Sequence, residues 1–159
     1  MKTGGASHAE MGGHYRGLGL MALLSFLAMY GLMYAMVDRF SNALPNLNQL
    51  YMAGLMTAPM VVIELLVMGS MYPDKKANVA LLGVSTAALV AFWLGIRAQT
   101  GITERQFLRS MIPHHGGAIL MCEQTELRDP ELQKLCREIR ESQRREIDFM
   151  KKKLRETRK

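Results

Sequence analysis

The chain has 159 residues, 49% of them hydrophobic, with 20 Lys and Arg against 14 Asp and Glu and a formal net charge of +6, which is room for about one domain. Residues 1–101 hold 10 of the 34 charged side chains but 11 of the 14 Met, whereas residues 102–159 hold the other 24 charges. So uneven a split excludes an evenly mixed soluble enzyme, and the regular patterning of the second half excludes a disordered basic tail.

Residues 1–16 read as a flexible leader in which His8, Met11 and His14 stand among Gly, Ala and Ser. Those three side chains also offer a metal ion two imidazoles and a thioether. Residues 17–98 read as a three-helix transmembrane region. Leu18 to Val37 carries no charge and is closed by Asp38-Arg39; Leu50 to Met71 is interrupted only by Pro59 and Glu64; Ala77 to Ile96 ends at Arg97. Each is long enough for a helix that crosses a bilayer, which takes about 20 apolar residues. The first is too long for the apolar core of a cleaved signal peptide and lacks a small-residue cleavage site before Asp38. Tyr15, Tyr30, Tyr34, Tyr51, Tyr72 and Trp93 mostly fall toward the span ends, the headgroup zone that amphipathic rings favour.

Cationic loops set orientation, and here the two sides nearly tie. The short Asp74-Lys75-Lys76 loop weighs most, because short loops follow the positive-inside rule best. It places the N-terminus inside and the C-terminal segment on the periplasmic or outer face, against the pull of that segment's many Arg and Lys.

Met52, Met56, Met60, Glu64, Met68 and Met71 recur every three or four residues and so form one stripe on the second span; Met29, Met33 and Met36 repeat the rhythm on the first. Thioethers select Cu(I) over harder cations, yet Met is also a flexible packing residue. A mid-span carboxylate such as Glu64 faces a partner or an aqueous path, or is protonated and structural. Ala53, Gly54, Ala58 and Gly69 are small enough to allow close helix contact.

Residues 99–159 read as a polar helical hairpin. Thr103-Glu104-Arg105-Gln106 has the form of a capping box, and Phe107, Met111, His115, Ala118, Cys122 and Thr125 follow at helical steps. Asp129 caps and Pro130 opens a second helix, which carries Leu132, Cys136, Ile139, Gln143, Ile147 and Met150 on one face. A turn centred near residue 129 sets Cys122 opposite Cys136, His115 opposite Gln143 and Met111 opposite Ile147. Pro113 and Gly116-Gly117 weaken the first helix at the His pair, which marks either a site that tolerates strain or a break.

Met111, His114, His115, Met121, Cys122, Cys136, Gln143, Glu146 and Met150 form a soft-biased donor set within this hairpin, suited to Cu(I) or another soft transition metal. Adjacent His residues project about 100 degrees apart on a helix, so they serve two sites or two chains unless a kink redirects them. Cys122 and Cys136 are open to three readings: packing, metal thiolates or a disulfide. Facing helices lie about 8–10 Å apart, which ranks packing or metal above the bond. No Glu precedes a His at Glu-x-x-His spacing, which disfavours a di-iron bundle, and no substrate pocket is legible, so no enzyme is expected. The basic Lys151 to Lys159 end is a solvated helix terminus or an attraction for anionic lipid. From residue 102 onward, 14 basic against 10 acidic side chains leave only +4, without a reading helix or aromatic platform for nucleic acid.

The run Phe107 to Cys122, containing Met111-Ile112-Pro113-His114-His115, resembles the domain-of-unknown-function family 305, as do Asp129-Pro130-Glu131-Leu132 and Gln143 to Met150. The layout looks like the family branch with three N-terminal spans. The resemblance implies a helical, ferritin-like architecture and, for some members, copper binding and tolerance in the periplasm. Metal roles carry over to Met111, His114, His115, Gln143, Glu146 and Met150. Many soluble members hold two copies of the motif and this chain has one. Its Cys122 and Cys136 stand where small residues are common.

A single hairpin buries little core, so two chains are expected to pair into a four-helix bundle. The expected whole is an all-α, membrane-anchored protein of the bacterial inner membrane with a periplasmic C-terminal domain, binding Cu(I) in copper or heavy-metal handling. The alternative is a non-metal membrane scaffold or partner-binding subunit.

Overall fold

The computed structural model describes the backbone of residues 4–157 and the side chains from residue 12 onward. His8 and Met11 lie outside the described side chains. Among the described residues the chain is all-α: α1 (Gly4–Leu32), α2 (Leu47–Val67), α3 (Lys75–Arg97), α4 (Glu104–Gln124) and α5 (Pro130–Glu156). Helix α1 begins at Gly4, so the backbone is helical where the sequence suggests a flexible leader. Among the described residues, three helical segments are long and apolar enough to cross a membrane, Gly12–Met36, Leu47–Val67 and Lys75–Arg97; the first starts six residues before its expected span, and the other two lie within four residues of theirs.

The chain divides into two compact units. Of the described residues, one unit comprises 4–31 together with 50–100 and the other 32–49 together with 101–157. Residues 32–49, expected as part of the membrane region, therefore belong with the hairpin.

In the first unit the buried face of α2 is made of small residues, Ala53, Gly54, Thr57 and Ala58. Small residues on a helix face let a neighbouring helix approach closely. Accordingly the Phe92 ring sits directly on Gly54 and the Tyr51 ring lies 3.4 Å from where a Cβ on Gly95 would stand. Gly69 has nothing within 4 Å of such a position and plays no part in this packing. The Thr57 hydroxyl donates back to the Ala53 carbonyl at 2.8 Å. A second cluster joins Leu18, Leu65 and Tyr72, and the Tyr15 hydroxyl donates to Asn78 Oδ1 at 2.8 Å.

The second unit is built on the α4–α5 hairpin. Asp129 accepts from the Glu131 and Leu132 amides at 2.7 and 3.3 Å, satisfying two free donors at the start of α5, while Pro130 takes the first helical position, where its missing N–H costs nothing. Only half of the capping box forms. Thr103 Oγ1 accepts from the Gln106 amide, but the Gln106 side chain turns instead to accept the Leu47 N–H at 3.1 Å. Ile112, Ile119, Ile147 and Met150 form the core, with Leu44, Leu108, Met111 and Leu154 packed against it.

Helix α4 runs unbroken through Pro113. Gly116 and Gly117 are explained by what lies on them. A Cβ at 116 would meet Asp38 Oδ1 at 2.6 Å and Val37 Cγ1 at 3.2 Å, and one at 117 would meet the Met36 carbonyl oxygen at 3.3 Å. Residues 33–49 thus form a strap across α4, seated on the paired glycines. Its far end is tied by Asn48, which donates to Ser110 Oγ at 2.8 Å.

Candidate functional site

Eight of the nine expected ligands separate into three groups, and the ninth, Glu146, faces the first of them across the hairpin. His115 is 9% exposed and Met150 6% exposed, Met111 packs against the same core, and Gln143 is half-buried. His114 is exposed on the opposite side of α4, with Met121 54% exposed. The two imidazole centroids stand 6.1 Å apart. Consistent with the roughly 100 degrees between adjacent helical positions, His115 is buried and His114 exposed, and Pro113 does not bring them to one site.

His115 Nδ1 lies 3.1 Å from Glu146 Oε2 across the hairpin. The atoms are close without the alignment of a hydrogen bond, so Nδ1 is a buried polar atom with no hydrogen-bond partner among the described residues. The partner facing His115 is therefore Glu146, one turn beyond the expected Gln143 and on the same side of α5. Burial lowers the His115 pKa from its ordinary 6.5; Glu146 opposes this and His114 reinforces it. The ring is thereby biased toward its neutral, ligand-competent form.

The third group corrects the sequence reading. Cys122 and Cys136 are joined in a disulfide with a Cα–Cα separation of 5.2 Å, so neither thiolate is available to a metal. The separation of facing helices in mid-hairpin was the wrong measure. Both residues lie close to the connecting turn, where the backbones approach within disulfide range.

Among the described residues there is no group of three or more His, Cys, Asp or Glu side chains placed to hold a metal ion. Met111 and Met150 pack in the hairpin core, and the buried His115 faces Glu146 across the hairpin.

Two features escaped sequence reasoning. Asp38 is 6% exposed at its side chain and accepts from Asn42 Nδ2 at 2.7 Å; with Gly116 beneath it, it fixes the strap one residue from His115. Glu123 also pairs with Arg144 across the hairpin. The Gly-Gly pair was the available signal for the strap, since paired glycines inside a helix often mark close backbone approach.

The Met stripe is shorter than expected. Helix α2 ends at Val67, so Met68 and Met71 fall beyond it. Met52 and Met56 are 39% and 43% exposed, on the face away from the buried small residues. Glu64 lies in the last turn of α2, not at mid-span, and accepts from the Tyr72 hydroxyl at 3.1 Å. His14 packs edge-on against the Tyr72 ring at 6.5 Å.

Residues 95–155 match a family described as a domain of unknown function, DUF305. An uncharacterized protein of Acanthamoeba polyphaga mimivirus is 31% identical over 134 residues, covering 82% of this chain and 86% of the viral protein. That similarity extends well beyond the hairpin into the three-helix region. No solved structure matches the chain.

Proposed function

The chain belongs to the DUF305 family, and on that premise we propose that it is a membrane-anchored metal-binding protein for Cu(I), working in copper or heavy-metal handling and not as an enzyme. The observation that carries this reading is the buried His115, one helical turn from Met111 on α4 and 3.1 Å from Glu146, which stands one turn from Met150 on α5. The residues fit a soft ion. One imidazole and two thioethers are neutral, polarizable donors suited to Cu(I), whereas a harder cation wants several oxygens. His115, Met111 and Met150 would hold the ion. Glu146 would supply compensating charge and orient the ring, with Gln143 beside it. The ion is cargo in this reading, and the hairpin's contribution is to keep it away from water.

His114 and Met121 lie seven positions apart on the outward face of α4 and would offer donors to a second copy. Pairing of two hairpins into a ferritin-like four-helix bundle would cover that face. The disulfide supports a location, because such bonds form and persist in oxidising compartments. It favours the C-terminal unit on the periplasmic side of a bacterial inner membrane.

The test is Cu(I) affinity of the full chain in detergent, measured by competition with a chromophoric chelator. The isolated hairpin would lack the strap. A tight site is expected in the wild type and lost in His115→Ala/Met150→Leu; equal stoichiometry and affinity in both overturn the proposal. A non-metal scaffold is favoured by the lack of a His, Cys, Asp or Glu cluster among the described residues. It predicts that Cu(I) leaves thermal stability unchanged.

A further inference from the structure

At the open end of the hairpin, a cavity of about 320 Å³ is lined by four cations, Arg105, Arg109, Lys151 and Arg155, together with Leu44, Leu154 and Ser41. Arg105 and Arg109 are one helical turn apart on α4, and Lys151 and Arg155 are one turn apart on α5. Like charges at that spacing destabilise a helix, so both helices carry an unfavourable pair at the same place. Close to the register set by the Cys122–Cys136 disulfide, the pairs face each other, Arg109 toward Lys151 and Arg105 toward Arg155.

None of the four is in an ion pair with a described carboxylate; the pairs formed nearby are Lys153 with Glu156 and Arg144 with Glu123. Arg109 and Lys151 are half-buried, where unpaired charge is harder to tolerate than at an open surface. Asp38 and Asp148 line a separate, smaller cavity that shares Ser41 and Lys151 with this one, and Glu156, beside Arg155, is paired with Lys153. Four cations around one cavity, none of them in an ion pair with a described carboxylate and two leucines among the lining, suit an anion attached to something apolar.

We propose that this cavity binds a phosphate group, and that Arg105, Arg109, Lys151 and Arg155 hold it while Leu44 and Leu154 receive whatever apolar part it carries. Arg suits phosphate through its planar fork of donors, and Lys supplies a point charge. Two sources share this chemistry, the headgroup of an anionic phospholipid and free inorganic phosphate. Chain connectivity favours the lipid. Leu44 precedes the start of α2 by three residues and Arg105 follows the end of α3 by eight, so the lining is tethered to the ends of two apolar helices.

The test uses the full chain and has two arms. In the first, protein reconstituted with equimolar phosphatidylcholine and phosphatidylglycerol is re-extracted in neutral detergent, and the retained phospholipid is identified by mass spectrometry. In the second, inorganic phosphate is added to delipidated protein at constant ionic strength and thermal unfolding is followed. Each cation near an anionic surface contributes roughly a fivefold factor, so Arg105→Gln/Arg109→Gln should lose roughly 25-fold in preference. Arg128→Gln/Arg137→Gln removes the same charge elsewhere and should lose nothing.

Without anion, the first variant should melt at or above the wild-type temperature, since a like-charge pair has gone; this separates lost binding from lost folding. Phosphatidylglycerol enrichment that depends on Arg105 and Arg109 supports the site with lipid as source. Stabilisation by phosphate with the same dependence, and no enrichment, supports it with the free ion as source. Equal behaviour of wild type and variant in both arms, or an equal loss in the Arg128/Arg137 control, overturns it.

Discussion

Gly116 and Asp38 are in direct contact: a Cβ on the glycine would stand 2.6 Å from the carboxylate Oδ1, and that carboxylate is held in place by Asn42. Gly in a helix interior costs about 1 kcal/mol relative to Ala, so Gly116→Ala would stabilise an unburdened helix. Here the added methyl forces a buried, hydrogen-bonded side chain to move, and overpacking of that kind costs about 1–3 kcal/mol. The expected net result is destabilisation in thermal melts of the full chain. Asp38→Ala in the Gly116→Ala background should recover part of it, because residues in contact couple. Additive effects of the two changes would show that the strap does not rest on this glycine.

The Cys122–Cys136 bond closes a short loop containing the α4–α5 turn. A loop of about 15 residues is expected to contribute about 3 kcal/mol, mainly through the unfolded chain. Reduction, or Cys122→Ser/Cys136→Ser, should therefore lower the melting temperature and leave the helix content of the cold protein unchanged by circular dichroism. A melting temperature indifferent to reductant would mean that the unfolded hairpin is constrained by something else.

Sequence reading succeeded where one short segment decides the outcome. Asp129-Pro130 marked the start of α5, and the apolar spacing from Phe107 onward marked α4, because caps and periodicity are local. It failed where distant residues decide. Gly116-Gly117 looked like a weak point in α4 and is instead a seat for residues 36–38, a partner no spacing rule within α4 can reveal. Gln106 had the sequence of a capping-box partner, yet it bonds Leu47 because the strap brings that amide within reach. The inward turn of His115 was legible in its helical step from Met111; its meeting with Glu146 in place of Gln143 was not, since both lie on one side of α5 and only the final register separates them. The disulfide was misjudged because an average helix separation does not describe the turn end of a hairpin.

Tyr72 donates to Glu64 at 3.1 Å from a buried position, so the one carboxylate of α2 has a defined partner. Removing the hydroxyl leaves an acceptor near the end of an apolar helix without its donor, a loss of about 1–3 kcal/mol. Tyr72→Phe should therefore unfold at lower denaturant than the wild type in the same detergent. Glu64→Gln, which keeps an acceptor for the hydroxyl, should unfold close to the wild type when introduced alone. If Tyr72→Phe matches the wild type, the bond contributes nothing to the first unit.

His115 gives the metal-free chain a pH dependence of definite sign. Burial is the main cause lowering its pKa from 6.5, with Glu146 opposing and His114 assisting. As pH falls, the unfolded chain takes up the proton first, near its ordinary value. The folded chain follows only at lower pH, so over that interval protonation favours unfolding. The stability associated with the neutral ring is fully present above 6.5, is lost as pH falls through that value, and levels off once the folded group also titrates. Melting temperatures measured from about pH 7.5 to about pH 5 should therefore decline more steeply for the wild type than for His115→Gln, which has no proton to take up. Glu146→Gln should steepen the decline, since it removes the carboxylate that raises the imidazole pKa. Parallel profiles for the wild type and His115→Gln would place the His115 ring in water, not in the hairpin core.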